Sequence, residues 1–261
     1  GLSGNITIPN GVTNIPSYVF NGCTGFDNIT IPNTVSTIGT DAFKNVANII
    51  YSGPATGSPW GAKSVNGYAE GDFIYTDNTK TEIKKYVGTS TTVTIPNIVT
   101  SISQQAFYGN TTITSVTMSD SVTSIGQDAF QNCSNLESIT LSNNITTIND
   151  STFNQSGLTS IVIPDGVTSI GSSAFYECNV LSSVTMRNGV TSIGGSAFEG
   201  CDLLQNVTIP ASVTSIGSKA FYNISGTLGG ASVTCKATTP PTLGSTVFIP
   251  SYYSTCPTIY V

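Results

Sequence analysis

Apolar residues recur along this chain with a fixed period. One series of phenylalanines has successive intervals of 23, 64, 23, 23, 22, 23 and 23, at Phe20, Phe43, Phe107, Phe130, Phe153, Phe175, Phe198 and Phe221. A second apolar series repeats the same intervals at Ile8, Ile31, Ile95, Met118, Leu141, Ile163, Met186 and Ile209. A period kept over so many units predicts a repeat architecture in which each unit contacts only its neighbours.

Within one unit, the alternation of apolar and polar residues predicts short strands. In residues 181–203, LSSVTMRNGVTSIGGSAFEGCDL, Val184 and Met186 point inward and the threonine between them points outward. Val190 and Ile193 form a second inward pair. One unit cannot bury this apolar side alone, so we expect successive coils to stack into a solenoid of parallel strands.

The end of each unit predicts a turn. Gly194 is suited to an unusual backbone turn. Cys201 follows Ala197 by four residues and Phe198 by three, so one face of a single helical or 3₁₀ turn would carry all three inward.

The long interval between Phe43 and Phe107 marks an insertion rich in aromatic residues. Residues 72–88 within it, DFIYTDNTKTEIKKYVG, predict a β-hairpin that turns at Asp77 and Asn78. We therefore divide the chain into repeats 1 and 2 at residues 1–48, the hairpin insertion at 49–90, repeats 3 to 8 at 91–231 and a C-terminal capping coil at 232–261.

Composition narrows the possible partners. Charged residues make up only 8% of the chain and the formal net charge is −6, so binding to nucleic acid is disfavoured. The chain has no apolar run long enough to insert into a membrane. A neutral surface rich in hydroxyl and amide groups is typical of an extracellular protein. We expect the chain to be secreted or held at the cell surface, with any signal or anchor segment removed from this sequence.

The sequence offers little for catalysis. It has no histidine, which excludes Ser-His-Asp and Cys-His sites, and its acidic residues are scattered through predicted turns. We therefore expect no enzyme activity, no cofactor and no metal site. Four cysteines, Cys23, Cys133, Cys178 and Cys201, follow the phenylalanine by three residues and are expected to be buried free thiols. Whether Cys235 and Cys256 are bridged stays open.

Two sets of residues are candidates for a binding surface. The first is a row of outward threonines on the predicted sheet, Thr94, Thr117, Thr140, Thr185 and Thr208. The second is the aromatic cluster of the insertion, Tyr51, Trp60, Tyr68 and Tyr75, since aromatic residues dominate protein interfaces. The alternative for the second set is that these side chains pack inward and bridge the break between the repeats.

The repeat unit, L-x-x-V-T-I-P-x-x-V-T-S-I-G-x-x-A-F-x-x-C, resembles the BspA-type leucine-rich repeat of bacterial surface proteins from gut and oral anaerobes. The resemblance covers essentially the whole chain. It implies a right-handed solenoid that acts as a non-enzymatic module for protein binding, with adhesion to host matrix proteins or other bacteria as the expected role. A structural spacer in a surface array and a glycan-binding module are the alternatives.

Overall fold

The chain folds into strands and turns. The computed structural model describes residues 3–51, 53–63, 65–77, 79–224 and 232–248, together with the backbone of residues 258–260. Across these residues no segment is helical, and so none is a helix that could cross a membrane. The chain divides into two compact units, Gly1–Thr89 (unit 1) and Ser90–Val261 (unit 2). The finer division into four segments stays a prediction.

The described residues of unit 1 form eight strands. They are β1 (Gly4–Thr7), β2 (Asn14–Ile15), β3 (Phe26–Thr30), β4 (Thr37–Ile38), β5 (Asn48–Ile50), β6 (Tyr68–Glu70), β7 (Phe73–Tyr75) and β8 (Glu82–Tyr86). Strands β1, β3 and β5 form a parallel sheet, and β2 pairs with β4 in parallel. Strands β6, β7 and β8 pair antiparallel. The predicted hairpin is therefore present as β7 and β8, and β6 adds a third strand to it.

The hairpin turn lies between β7 and β8. Oδ1 of Asp77 accepts a hydrogen bond from the backbone N–H of Thr79 at 2.9 Å, a geometry that aspartate commonly makes in turns. Asn78, the other residue predicted at the turn, lies outside the described residues.

Unit 2 contains two rows of parallel strands. The first row comprises β9 (Thr92–Thr94), β11 (Ser115–Thr117), β13 (Ser138–Thr140), β15 (Ser160–Ile163), β17 (Ser183–Met186), β19 (Asn206–Ile209), β21 (Ser232–Cys235) and β23 (Thr258–Tyr260). The second comprises β10 (Ser101–Ile102), β12 (Ser124–Ile125), β14 (Thr147–Ile148), β16 (Ser169–Ile170), β18 (Ser192–Ile193), β20 (Ser215–Ile216) and β22 (Thr242–Leu243). Pairings such as Ile161 with Val184 join equivalent positions of neighbouring repeats, which confirms the predicted parallel solenoid.

The phenylalanines form the centre of each core. In unit 1 the rings of Phe20 and Phe43 stack with centroids 5.3 Å apart. In unit 2 the stack runs from Phe107 to Phe221 with neighbouring centroids 4.6 to 5.5 Å apart, and Phe248 extends it by a ring 5.7 Å from Phe221. Stacked rings between coils explain why phenylalanine recurs at one position of every unit.

The predicted helical turns are not confirmed. In the coil that contains Phe198, Ser196 and Gly200 have φ angles of 54° and 74°, in the left-handed region, so the backbone cannot continue as a helix. The N–H groups of Ser196, Phe198 and Gly200 instead donate to carbonyl oxygens of the following coil at 2.8, 2.8 and 3.0 Å. The turn segments thus form a third row of hydrogen bonds between coils.

The prediction that Gly194 supplies an unusual backbone turn is wrong. Gly194 does not have a positive φ, whereas a Cβ at this position would lie 2.5 Å from the carbonyl carbon of Gly171 in the preceding coil. Added Cβ atoms at Gly126 and Gly217 would also meet backbone, at 2.3 and 2.4 Å. At these glycines the adjacent coils approach too closely for a side chain, whereas Ser103 and Asn149 hold the same position in other coils.

Candidate interaction surface

The aromatic residues of the insertion mostly face inward. Tyr51, Trp60 and Tyr75 are only 6%, 7% and 3% exposed, which corrects their assignment to a binding surface. Tyr51 and Trp60 meet edge to face with centroids 5.6 Å apart, and the Trp60 indole donates to the Thr56 carbonyl at 2.8 Å. Tyr68 is half-buried, with Nζ of Lys80 over its ring. These aromatic residues stabilise unit 1 rather than present a surface to a partner.

Trp60 occupies the place that alanine takes in a regular coil. The N–H of Phe43 donates to the Trp60 carbonyl at 3.0 Å, as the N–H of Phe20 donates to the Ala42 carbonyl at 2.8 Å. The first part of the insertion is therefore an irregular coil that continues the hydrogen bonding of the repeats.

A row of three asparagines on the outward side of the β1–β3–β5 sheet was missed by the sequence analysis. Nδ2 of Asn28 donates to Oδ1 of Asn5 at 2.8 Å, and Nδ2 of Asn48 donates to Oδ1 of Asn28 at 2.9 Å. Asn28 and Asn48 are buried beneath residues 67–69. Asn5 and Asn28 hold equivalent positions in neighbouring repeats, and this could have indicated the asparagine row. The spacing from Asn28 to Asn48 differs from the repeat period, so the sequence did not indicate that Asn48 belongs to the row.

The threonines predicted to face outward in unit 2 are exposed. They are Thr94, Thr117, Thr140, Thr185 and Thr208, and the first three lie directly beside one another in the register of β9, β11 and β13. Val162 holds the equivalent position of β15 and is 51% exposed. We call this outward side of β9, β11, β13, β15, β17 and β19 the threonine face.

The threonine face has one interruption. Strand β13 ends one sheet and β15 begins the next, so the two strands do not pair as a regular ladder. A cavity of about 330 Å³ lies at this position, and Thr140, Ser160 and Val162 contribute to its lining. The cavity places apolar and hydroxyl groups side by side on the sheet.

Charge is confined to the rim of this face. Arg187 and Asp165, which also line the cavity, form an exposed ion pair with Nη1 and Oδ2 3.4 Å apart. An exposed pair of this kind contributes little to stability. The strand positions of the threonine face carry hydroxyl, amide and apolar side chains, so recognition there would rest on hydrogen bonding and shape.

Three cysteine thiols of unit 2, those of Cys133, Cys178 and Cys201, are buried packing groups. Sγ of Cys178 donates to the Phe153 carbonyl of the preceding coil at 3.0 Å, and Cys133 and Cys201 make the same contact with the Phe107 and Phe175 carbonyls. Burial raises the pKa of Cys133 to about 12 and that of Cys178 to about 11, so neither forms a reactive thiolate near neutral pH. Cys235 carries a free thiol, and Cys256 lies outside the described residues.

The described part of the chain holds no group of three cysteine, aspartate or glutamate side chains placed to bind a metal ion.

Solved structures similar to this chain come from bacteria. A leucine rich repeat protein of T. pallidum is 28% identical, with a TM-score of 0.60 over 66% of this chain and 81% of that one. A leucine rich cell surface protein of Faecalibacterium prausnitzii is 30% identical, with a TM-score of 0.56, and the match covers 77% of this chain and 58% of that one. The pneumococcal vaccine antigen PcpA is 16% identical, with a TM-score of 0.51 over 92% of this chain and 78% of its own, and shows the fold alone.

Among curated proteins, none matches this chain. A family model described as the BspA type leucine rich repeat region matches in six copies over residues 3–53, 81–180 and 146–229, which together span most of the sequence. With the in-register parallel coils, this match shows that the chain belongs to the family of BspA-type leucine-rich-repeat proteins.

Proposed function

We propose that this chain is a non-enzymatic module of a secreted or cell-surface bacterial protein and that it binds extracellular proteins through the threonine face. Membership of a leucine-rich-repeat family supports a role in protein binding. The similarity to a leucine rich cell surface protein of Faecalibacterium prausnitzii supports the location. The partners we expect are host matrix proteins or proteins on other bacteria.

The observation that carries this proposal is the composition of the threonine face. Thr94, Thr117, Thr140, Thr185 and Thr208 form an uncharged hydroxyl surface on a rigid sheet, and the exposed Val162 adds an apolar contact beside a cavity. Rigid sheet faces of solenoids are common binding surfaces because successive coils repeat the same side-chain position over a long distance.

Glycan capture has less support than protein binding. Sugar rings stack on exposed aromatic faces, whereas Trp60 and Tyr75, the aromatic candidates of the insertion, are buried.

Binding of the purified chain to immobilised fibronectin, fibrinogen and whole bacteria, measured by biolayer interferometry, tests the proposal. We expect saturable binding to at least one target, and at least a tenfold loss for Thr185→Arg and Thr208→Arg. Gln127→Arg is the matched control because Gln127 is an exposed side chain on a turn segment of the same unit. Equal binding by all four proteins, or no binding to any target, would contradict the proposal.

A further inference from the structure

In unit 1, side chains on the outward side of the β1–β3–β5 sheet form hydrogen bonds with the backbone of an extended segment. Oδ1 of Asn48 accepts the N–H of Gly67 at 3.1 Å, and its Nδ2 donates to the Gly67 carbonyl at 2.6 Å. Asn28 makes the same two contacts with Ala69, at 3.0 and 3.2 Å. Successive coils thus bind alternate residues of one extended segment.

On the side of the extended segment, only backbone groups take part in these contacts. Ala69 lies in β6, which pairs with β7 on its other side, so the asparagine amides take the place of a neighbouring strand. An amide side chain suits this role because it offers one donor and one acceptor in the geometry of a peptide group.

Unit 2 carries the same register position without a covering strand among its described residues. Ser160, Ser183, Asn206 and Ser232 lie beside one another on β15, β17, β19 and β21. We call these four residues the outer row. In the sequence, Asn206-Val-Thr-Ile matches Asn28-Ile-Thr-Ile, so Asn206 corresponds to Asn28.

Asn206 is available for the same contact. It is exposed, its Oδ1 accepts from Oγ of Ser232 at 3.0 Å, and the described residues offer its Nδ2 no acceptor. Ser160 and Ser183 are exposed as well, and a hydroxyl both donates and accepts hydrogen bonds.

We propose that the outer row binds an extended, uncharged peptide segment of a partner protein through its backbone, in the way that Asn28 and Asn48 bind residues 67–69. This inference rests on the proposed function and specifies its binding mode. In unit 1, Asn48 on the later coil binds Gly67, and Asn28 on the earlier coil binds Ala69, so the bound segment runs opposite to the order of the coils. In the same direction, residue i of the partner lies on Asn206, residue i+2 on Ser183 and residue i+4 on Ser160. Ser160 lines the 330 Å³ cavity with Val162. The partner therefore carries an apolar side chain at or next to residue i+4.

A displayed library of random twelve-residue peptides, panned against the full chain, supplies the probe. Selected peptides are synthesised and then N-methylated at one backbone position at a time. Removing one N–H that faces the outer row is expected to weaken binding about tenfold. We expect that loss at alternate residues only, because the N–H groups of intervening residues point away from the row.

The variant Asn206→Asp keeps the acceptor for Ser232 and loses the Nδ2 donor, so we expect its affinity for the peptides to fall about tenfold. Asn179→Asp, at an exposed turn of the same unit, makes the same charge change and should bind normally.

A library without binders, an N-methyl effect without the alternation, or full binding by Asn206→Asp would overturn the inference. If Thr185→Arg and Thr208→Arg still abolish binding of a matrix protein in that case, the threonine face is the surface and only the backbone mode is wrong. If those two variants also bind normally, the proposed function fails as well.

Discussion

The Cα of Gly194 lies against the backbone of Gly171 in the preceding coil, so closely that a Cβ would be 2.5 Å from the Gly171 carbonyl carbon. The contact recurs at Gly126 and Gly217, so backbone meets backbone at these junctions, whereas Asn149 holds the same position in another coil and donates from its side chain to the Ile125 carbonyl at 2.7 Å. A side chain at Gly194 would have to push two coils apart.

Gly194→Ala is therefore expected to lower the free energy of unfolding by about 3 kcal/mol, the upper range for overpacking, measured by urea denaturation. Gly109→Ala is the control: Gly109 has a φ of 67° but no atom near an added Cβ, so only backbone strain of about 1 kcal/mol applies. Equal losses in the two variants would show that close approach is not the cause.

Removing one ring from the phenylalanine stack should also destabilise unit 2. Phe175 is fully buried between Phe153 and Phe198, with centroids 5.3 and 5.0 Å away. We expect Phe175→Ala to cost about 3 to 5 kcal/mol in chemical denaturation, because a large cavity replaces the ring. Tyr108→Ala removes a ring of similar size that is half-exposed, and a loss above about 1 kcal/mol there would argue against the importance of burial.

The buried thiols predict a loss of stability in alkali. In the folded chain the pKa values of Cys178 and Cys133 are raised to about 11 and about 12, above the ordinary value of 9.0. The folded state therefore favours the neutral thiol, and its contribution is complete below pH 9 and is lost as the pH rises from 9 toward 11 and 12. Urea denaturation between pH 8 and pH 10.5 should show this decline.

Cys133→Ala combined with Cys178→Ala should flatten that pH dependence relative to the unmodified chain. An unchanged slope in the double variant would assign the decline to other groups, such as tyrosine.

The asparagine row predicts a difference between two substitutions of the same kind. Asn48→Asp removes a fully buried amide donor from the Gly67 carbonyl and from Asn28, and we expect it to cost about 1 to 3 kcal/mol. Amide hydrogen exchange at Gly67 should become faster. Asn5→Asp keeps the acceptor for Asn28 at an exposed end of the row and should cost less than about 0.5 kcal/mol.

The periodic features were predictable because each coil repeats the same physical requirement. The spacing of Phe107, Phe130 and Phe153 was enough to place these rings in one stack, since a core position cannot change without disturbing both neighbours. The same reasoning placed Thr185 and Thr208 on the outside of the sheet.

The remaining features depend on distances that no sequence pattern encodes. Glycine suits a left-handed residue and a close approach of two backbones alike, so the identity of Gly194 could not separate the two causes. A turn with left-handed residues at Ser196 and Gly200 also has the helix-like spacing of Ala197, Phe198 and Cys201. Trp60 was ambiguous because aromatic residues are common both in interfaces and in cores.

In the turn segments that contain the phenylalanines, the backbone hydrogen bonds between coils all run from a donor on one coil to an acceptor on the following coil. The N–H groups of Ser173 and Phe175 donate forward to the next coil, and those of Ser196 and Phe198 do the same one coil later. In this row every junction between regular coils is alike, with donors on the earlier coil and acceptors on the later one, whereas other backbone bonds, such as that from the Gly194 N–H to the Ile170 carbonyl, run the opposite way. Tandem duplication or loss of a segment one repeat long would recreate the same junction, so a gene of this kind can change its number of repeats in whole steps without the fold having to be redesigned.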